Sequence, residues 1–263
     1  MKTSLVTRRS FLRASLAGSV ALPLAGCNQL DFLSDRDSAI RRMMAGINGL
    51  TYRAQRLLLG GDSLAHEFSE ADIRQAQRSN GSTDPDSADY LAQKQNGFAD
   101  YKLEVSGLIE RPARFSLTDL RGMVSRTQIT RHDCVEGWST IAKWQGAPLR
   151  AILDQVGVKP AARYVLFRCY DEPAQGLNGP EAYYETIDLV DARHPQTILA
   201  YAMNGKPLPI GNGAPLRLRV ERQLGYKMAK YIRGIEFVTG FADVYGGSGG
   251  YWEDRGYEWY AGI

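Results

Sequence analysis

Paired arginines ahead of a short apolar run decide where this chain must fold. Residues 7–13 read Thr7-Arg8-Arg9-Ser10-Phe11-Leu12-Arg13, and an apolar stretch follows from Ala14 to Ala25. That arrangement has the form of a twin-arginine export signal. Such signals carry proteins that are already folded, often with a cofactor loaded in the cytoplasm. The run ends in Leu24-Ala25-Gly26-Cys27, small residues before a cysteine, as in a bacterial lipobox. Residues 1–27 therefore read as a twin-arginine lipoprotein signal peptide, with Cys27 as the lipidated first residue of the mature chain. The expected location is periplasmic or cell-surface, with membrane attachment through that lipid alone. Beyond the signal no apolar stretch approaches the roughly 20 residues of a membrane span.

Residues 28–97 read as a helical N-terminal segment and a polar loop. Ile40, Met43, Met44 and Ile47 recur at three- and four-residue steps, and the helical pattern extends from Asp37 to about Gln77, broken at Gly60-Gly61. Ser69 with Asp72 is placed to cap a second short helix. Residues 79–89, SNGSTDPDSAD, form a polar loop by composition. The main body, residues 98–263, carries alternating strand patterns at residues 101–105, 216–220 and 234–238, and a buried strand at Tyr164–Cys169. Leu149–Val156 reads as a short amphipathic helix closed by Gly157. The tail from Tyr245 is rich in Gly, Tyr and Trp and reads as an irregular packed segment. Strands and helices do not alternate regularly, so the class is α+β with mixed sheets. With 32 basic and 29 acidic residues, the net charge of +3 is too balanced to suggest a nucleic-acid partner.

There are three cysteines, Cys27, Cys134 and Cys169. If Cys27 carries lipid, the other two are open to a structural disulfide, a low-pKa nucleophile, or a soft metal ligand. Residues 131–149, RHDCVEGWSTIAKWQGAPL, favour the ligand. This segment resembles the oxidoreductase molybdopterin-binding, or sulfite oxidase-like, family. In its sulfoxide-reducing periplasmic branch the molybdenum-ligating cysteine heads a Cys-Val-Glu-x-Trp-Ser run, which residues 134–139 fit. Residues 198–217, ILAYAMNGKPLPIGNGAPLR, and 225–238, GYKMAKYIRGIEFV, are similar to the pterin-holding half of that family's core.

The resemblance implies a molybdopterin-binding catalytic core and a molybdenum–molybdopterin cofactor. It makes Cys134 the metal ligand and excludes a functional disulfide to Cys169. It assigns cofactor contacts to Asn212, Arg217, Met228, Ala229 and Lys230. It places Cys169 where the branch has a pterin-contacting threonine. Tyr183 is the candidate to face the metal, with Tyr184 as the competing neighbour. The implied function is an exported enzyme that moves an oxygen atom to or from a small substrate, tilted toward sulfoxide reduction. The chain has no Cys-x-x-Cys-His haem site. Electrons are therefore expected from a separate partner, a membrane haem protein or a periplasmic cytochrome. A monomer is expected, since the length leaves no room for the family's extra dimerisation domain. Two other readings stand beside this one. Cys134 serves as a nucleophile with His132 or His194 as base, or the fold serves as a non-catalytic lipoprotein binding module.

Overall fold

The computed structural model describes residues 38–176 and 179–263; the segment read as an export signal, with Cys27, lies outside the described residues. The chain divides into two units, Met1–Ile47 and Asn48–Ile263. The first is described only from Ser38 onward. Every described strand lies in the second, whereas helix α1, Ala39–Leu59, begins in the first.

The helical pattern read from Asp37 to Gln77 ends early, at Leu59, where Gly60 turns to φ 65°. Residues 62–87 hold one 3-10 turn instead, Glu70–Asp72. Ser69 and Asp72 do form the expected cap, with the Ser69 N–H donating to Asp72 at 2.9 Å. The rest of this segment finds its backbone partners on strands. The Phe68 N–H donates to the Ile129 carbonyl at 2.8 Å and that of Arg74 to Ile141 at 3.1 Å. A helix not anticipated from sequence, α2 (Ala88–Gln95), then buries Tyr90.

Strand β1 (Lys102–Gly107) alternates as read, with Leu103 and Val105 buried and Lys102 and Glu104 exposed. Strand β2 (Ala113–Ser116) returns antiparallel to it. Helix α3 (Leu117–Gly122) starts at a capping box of Ser116 and Asp119. Strands β3 (Arg126–Asp133) and β4 (Ser139–Pro148) form a long hairpin. Helix α4 (Leu149–Val156) turns Leu149, Ile152, Leu153 and Val156 inward, and Gly157 closes it at φ 69°. Strand β5 (Tyr164–Cys169) leads to the small hairpin β6 (Ala174–Gly176) and β7 (Gly179–Glu181), then to β8 (Tyr184–Asp188), buried throughout. Helix α5 (Leu189–Arg193) is capped by Asp188. Strands β9 (Ile198–Met203), β10 (Lys206–Pro207), β11 (Arg217–Arg219) and β12 (Ile232–Val238) complete the fold.

One five-stranded sheet runs β2-β1-β12-β5-β8, with β1 and β12 parallel and its other pairs antiparallel. The other runs β10-β9-β4-β3, with β11 also paired to β9. The first sheet is mixed and the second antiparallel throughout, and with few helices this is the α+β architecture expected, with one of its two large sheets mixed. The main core joins Leu103, Phe167, Ile235 and Phe237 of the first sheet to Leu199 and Leu218 of the second, with α4 beside them. The site lies where the β3–β4 hairpin tip, β11 and the turn before β12 converge.

Candidate active site

Cys134 stands at the tip of the β3–β4 hairpin, and the residues after it explain its fixed position. The Cys134 N–H donates to the Trp138 carbonyl at 2.9 Å, and the Gly137 N–H returns to the Cys134 carbonyl at 3.0 Å. Gly137 sits at φ 82°, a conformation a side chain resists. The Trp138 indole donates to Glu136 at 2.8 Å, and the Ser139 hydroxyl to Asp133 at 2.5 Å. The Val-Glu-Gly-Trp-Ser run is thus a rigid holder for one thiol. Cys134 and Cys169 are both free thiols. Burial pushes the Cys134 thiol up from its ordinary value, while the Glu136 backbone N–H pulls it back.

The thiol opens into a cleft of ≈ 730 Å³. Tyr183, Met228 and Lys230 line it, as do Asn80, Ser82 and Asp171. So do Tyr226, Tyr251, Trp252 and Tyr257, which form an aromatic wall. Tyr183 faces this cleft, with its hydroxyl donating to the Tyr226 carbonyl at 2.5 Å and its ring stacked on Tyr251. Tyr184 points away, its hydroxyl bonded to Asp254 at 2.5 Å. Of the two tyrosines, Tyr183 is thus the one that lines the cleft.

Behind the cleft lies a group of buried cations. Arg219 is neutralised by Glu221, through bonds of 2.9 and 2.6 Å. Arg217 has only neutral partners, the Asn212 carbonyl at 3.1 Å and the Asn80 side chain at 3.4 Å, and its Nε is buried with none. The Lys230 ammonium donates to the carbonyls of Asn80, Ser82 and Gly211. Burial, then the neighbouring Arg219, brings Arg217 down to about 9. Burial, then Arg217, brings Lys230 down to about 7. Asp171, 3 % exposed, is the nearby carboxylate, and burial raises it to about 6. Trp144 holds both arginines over its ring, with guanidinium-to-centroid distances of 5.3 Å for Arg217 and 4.4 Å for Arg219. Buried cations with an orphaned N–H suit a phosphate-bearing ligand, because such a ligand would repay their desolvation.

Of the residues anticipated from sequence, Cys134, Tyr183, Met228 and Lys230 come together at the cleft. Arg217 lies just behind it, reaching it through Asn80. Asn212 presents its carbonyl to Arg217, and Ala229 contributes its backbone carbonyl to the Leu218 N–H at 2.8 Å. Cys169 is buried in the main core and is not among the cleft-lining residues. His132 is buried beside Arg219, whose guanidinium donates to its Nδ1 at 3.1 Å. Arginine can only donate, so the ring proton belongs on Nε2, which has no partner. Burial, then Arg217, holds this imidazole well below its ordinary value. His194 bonds to the backbone of Ser63 and Gln196. Among the described residues neither ring hydrogen-bonds to Cys134, so the hydrolytic reading lacks its base. Sequence reasoning did not single out Asn80, Ser82, Asp171 or the aromatic wall. The Tyr- and Trp-rich tail was the visible signal for that wall.

Residues 91–245 match the family described as oxidoreductase molybdopterin binding domain. The chain belongs to this family. It is a molybdopterin-dependent oxidoreductase, and its cofactor is molybdenum–molybdopterin. A relative named putative protein-methionine-sulfoxide reductase subunit YedZ1, from Azospira oryzae, is 35% identical over 98% of this chain and 88% of its own length. The protein-methionine-sulfoxide reductase catalytic subunit MsrP of Xanthomonas campestris is 40% identical over 52% of this chain and 45% of its own length. This chain therefore spans less than half of that MsrP relative. Among solved structures, the sulfane dehydrogenase SoxCD of Paracoccus pantotrophus is similar, at 22% identity and a TM-score of 0.46 over 53% of this chain and 38% of that one.

The two cations make a prediction about the cofactor-free protein. Lys230 carries its charge below about pH 7 and loses it above, so anion binding should weaken as pH rises through that value. Sulfate, doubly charged throughout, should raise the melting temperature more at pH 6 than at pH 8.5. A site filled to about 100 times its dissociation constant gains about 2.7 kcal/mol. Lys230→Met should shrink the pH dependence and leave the attraction of Arg217 together with sulfate's general stabilising effect. Thermal melts at matched ionic strength read the difference.

Proposed function

We propose that this chain reduces a sulfoxide by oxygen-atom transfer, with Cys134 as the protein ligand of the molybdenum. The observation that carries the reading is one cleft lined by the Cys134 thiol and Lys230, with the under-neutralised Arg217 just behind it. The names of the relatives in Azospira and Xanthomonas supply the sulfoxide chemistry. In balance, one sulfoxide, two electrons and two protons give one thioether and one water. When bound, the molybdenum–pterin supplies a centre able to accept the oxygen atom and exchange the electrons. The chain supplies the rest. Cys134 binds as thiolate, since a coordinated thiol is deprotonated. Arg217 and Lys230, with Asn80, Asn212 and the backbone at Met228 and Ala229, hold the pterin and its phosphate. Cys169, in the core behind Lys230, acts through packing.

Tyr183 holds its proton, because burial and then Glu185 keep its hydroxyl well above the ordinary range. The aromatic wall gives the thioether sulfur of the product a surface that it favours. Electrons come from a separate partner, a membrane haem protein or a periplasmic cytochrome. The protein acts as a monomer, exported by the twin-arginine route and attached to the membrane by lipid on Cys27.

The test is a substrate screen on metal-loaded enzyme with a reduced dye as donor. Dye oxidation dependent on methionine sulfoxide or dimethyl sulfoxide, with about one molybdenum per chain, is the expected result. A fully loaded, well-folded preparation that turns over no sulfoxide would sink the reading.

A further inference from the structure

Helix α1 wears its apolar face on the outside. In the part belonging to the larger unit, Asn48, Tyr52 and Arg56, spaced by four, bind the body through polar groups. Asn48 bonds to Glu258 at 3.3 Å, Tyr52 to Asp188 at 2.9 Å, and Arg56 to Asp188 and Asp191 at 2.8 Å each. At roughly 100° per residue, Leu50, Leu57 and Leu58 lie about 120–160° round the helix from Tyr52. They are 64%, 84% and 80% exposed. Met44, Met43 and Ile40, in the smaller unit, are exposed as well. Three leucines this exposed on one face of a helix are more than the scattered leucines a monomer shows.

Charge says what covers it. The helix carries four arginines and no acidic residue. Arg42 and Arg53 are exposed, and Arg56 is the one committed to the protein body. An apolar stripe beside an all-basic polar face is the composition of a helix that lies in the plane of an anionic membrane. Among the described residues no helix is long and apolar enough to cross a bilayer, and α1 with its four arginines suits the surface. Cys27 precedes the helix by a linker that reaches at most about 40 Å when extended.

We propose that α1 is a membrane-surface helix, seating Leu50, Leu57 and Leu58 among the acyl chains and the exposed Arg53 among anionic headgroups. The proposal adds a protein-made contact to the lipid at Cys27, and its test is built to work without that lipid.

The probe is the mature chain, residues 27–263 with Cys27→Ser, mixed with vesicles of phosphatidylglycerol and phosphatidylethanolamine or of phosphatidylcholine alone. Flotation should carry the protein with the anionic vesicles at least tenfold more than with phosphatidylcholine, and added salt should weaken the effect. Met43→Gln, Leu50→Gln, Leu57→Gln and Leu58→Gln together should abolish flotation while leaving circular dichroism and dye-linked turnover unchanged. A separate Leu57→Trp variant should show a blue-shifted emission on adding anionic vesicles. Flotation of the four-fold variant equal to the parent overturns the proposal. So does absence of flotation at low salt, or an emission from the Leu57→Trp variant that vesicles leave unshifted. Vesicle-independent self-association lost in the four-fold variant would assign the stripe to a second copy of the chain and also overturn it. Loss of sulfoxide turnover bears on the proposed reaction and not on this helix.

Discussion

Cys134→Ser should eliminate turnover and leave the fold intact. The side chain sits on a hairpin tip and is half-buried, and the tip is held by the backbone bonds of Cys134, Gly137 and Trp138, which serine keeps. Stability should therefore shift by no more than about 0.5 kcal/mol. Activity is another matter. Residues that merely support a metal ligand cost about 10–100-fold when lost, so the ligand itself should cost about a thousandfold or more in kcat. Arg217 and Lys230 are untouched, so pterin should still be extractable from the variant. Alkylation supplies a second readout: the Cys134 thiol should be protected in the loaded protein and react once the cofactor is removed. A folded Cys134→Ser protein with full turnover would overturn Cys134 as the protein ligand of the metal.

The hairpin around Cys134 was legible because each motif residue serves it locally. Gly137 turns the chain, Trp138 and Ser139 fasten neighbouring carboxylates, and all are close to the thiol in sequence. Arg217 and Arg219 were legible only in part. Their alternation with Leu216, Leu218 and Val220 announces a strand, and such a pattern ordinarily puts the charges in water. Here both faces are buried, because Trp144 arrives from β4 to cover the guanidinium groups and Glu221 neutralises one of them. No local pattern carries that information. Asn80 and Ser82 were hidden for another reason. Their loop has the composition of any polar loop, and its partners are far away in sequence, foremost the Lys230 ammonium at 150 and 148 residues. In α1, periodicity reveals an apolar face but not its direction. The polar anchors Tyr52 and Arg56, bound to Asp188 and Asp191, turn that face outward.

Lys227→Met should be the most destabilising single change outside the apolar core. Lys227 is wholly buried between two wholly buried carboxylates, with Glu185 and Glu253 each 2.5 Å from its ammonium. Glu185 belongs to β8, Lys227 to the turn that carries Met228 and Tyr226, and Glu253 to the tail that carries Tyr251, Trp252 and Tyr257. The lysine therefore joins three walls of the cleft. Removing it leaves two carboxyl groups facing each other away from water, and breaking a buried pair costs about 3–5 kcal/mol. In a domain of this size each kcal/mol is worth about 2–4 °C, so the melting temperature should fall by about 10 °C or more. Lys227→Arg, which keeps the charge but overfills the site, should lose less.

The pH dependence separates electrostatics from packing. Burial, then Glu253, holds the Glu185 carboxyl well above its ordinary value of 4.5. A raised carboxyl binds its proton more tightly in the folded state than in the unfolded one. Its favourable contribution is complete below pH 4.5 and is lost as pH rises toward the folded value. Glu185→Gln removes that loss, so its stability relative to the parent should improve as pH increases. Denaturant melts of both proteins between about pH 4.5 and 8 measure the slope. A constant difference across that range would mean that Glu185 is ionised throughout and that Lys227 alone outweighs its burial.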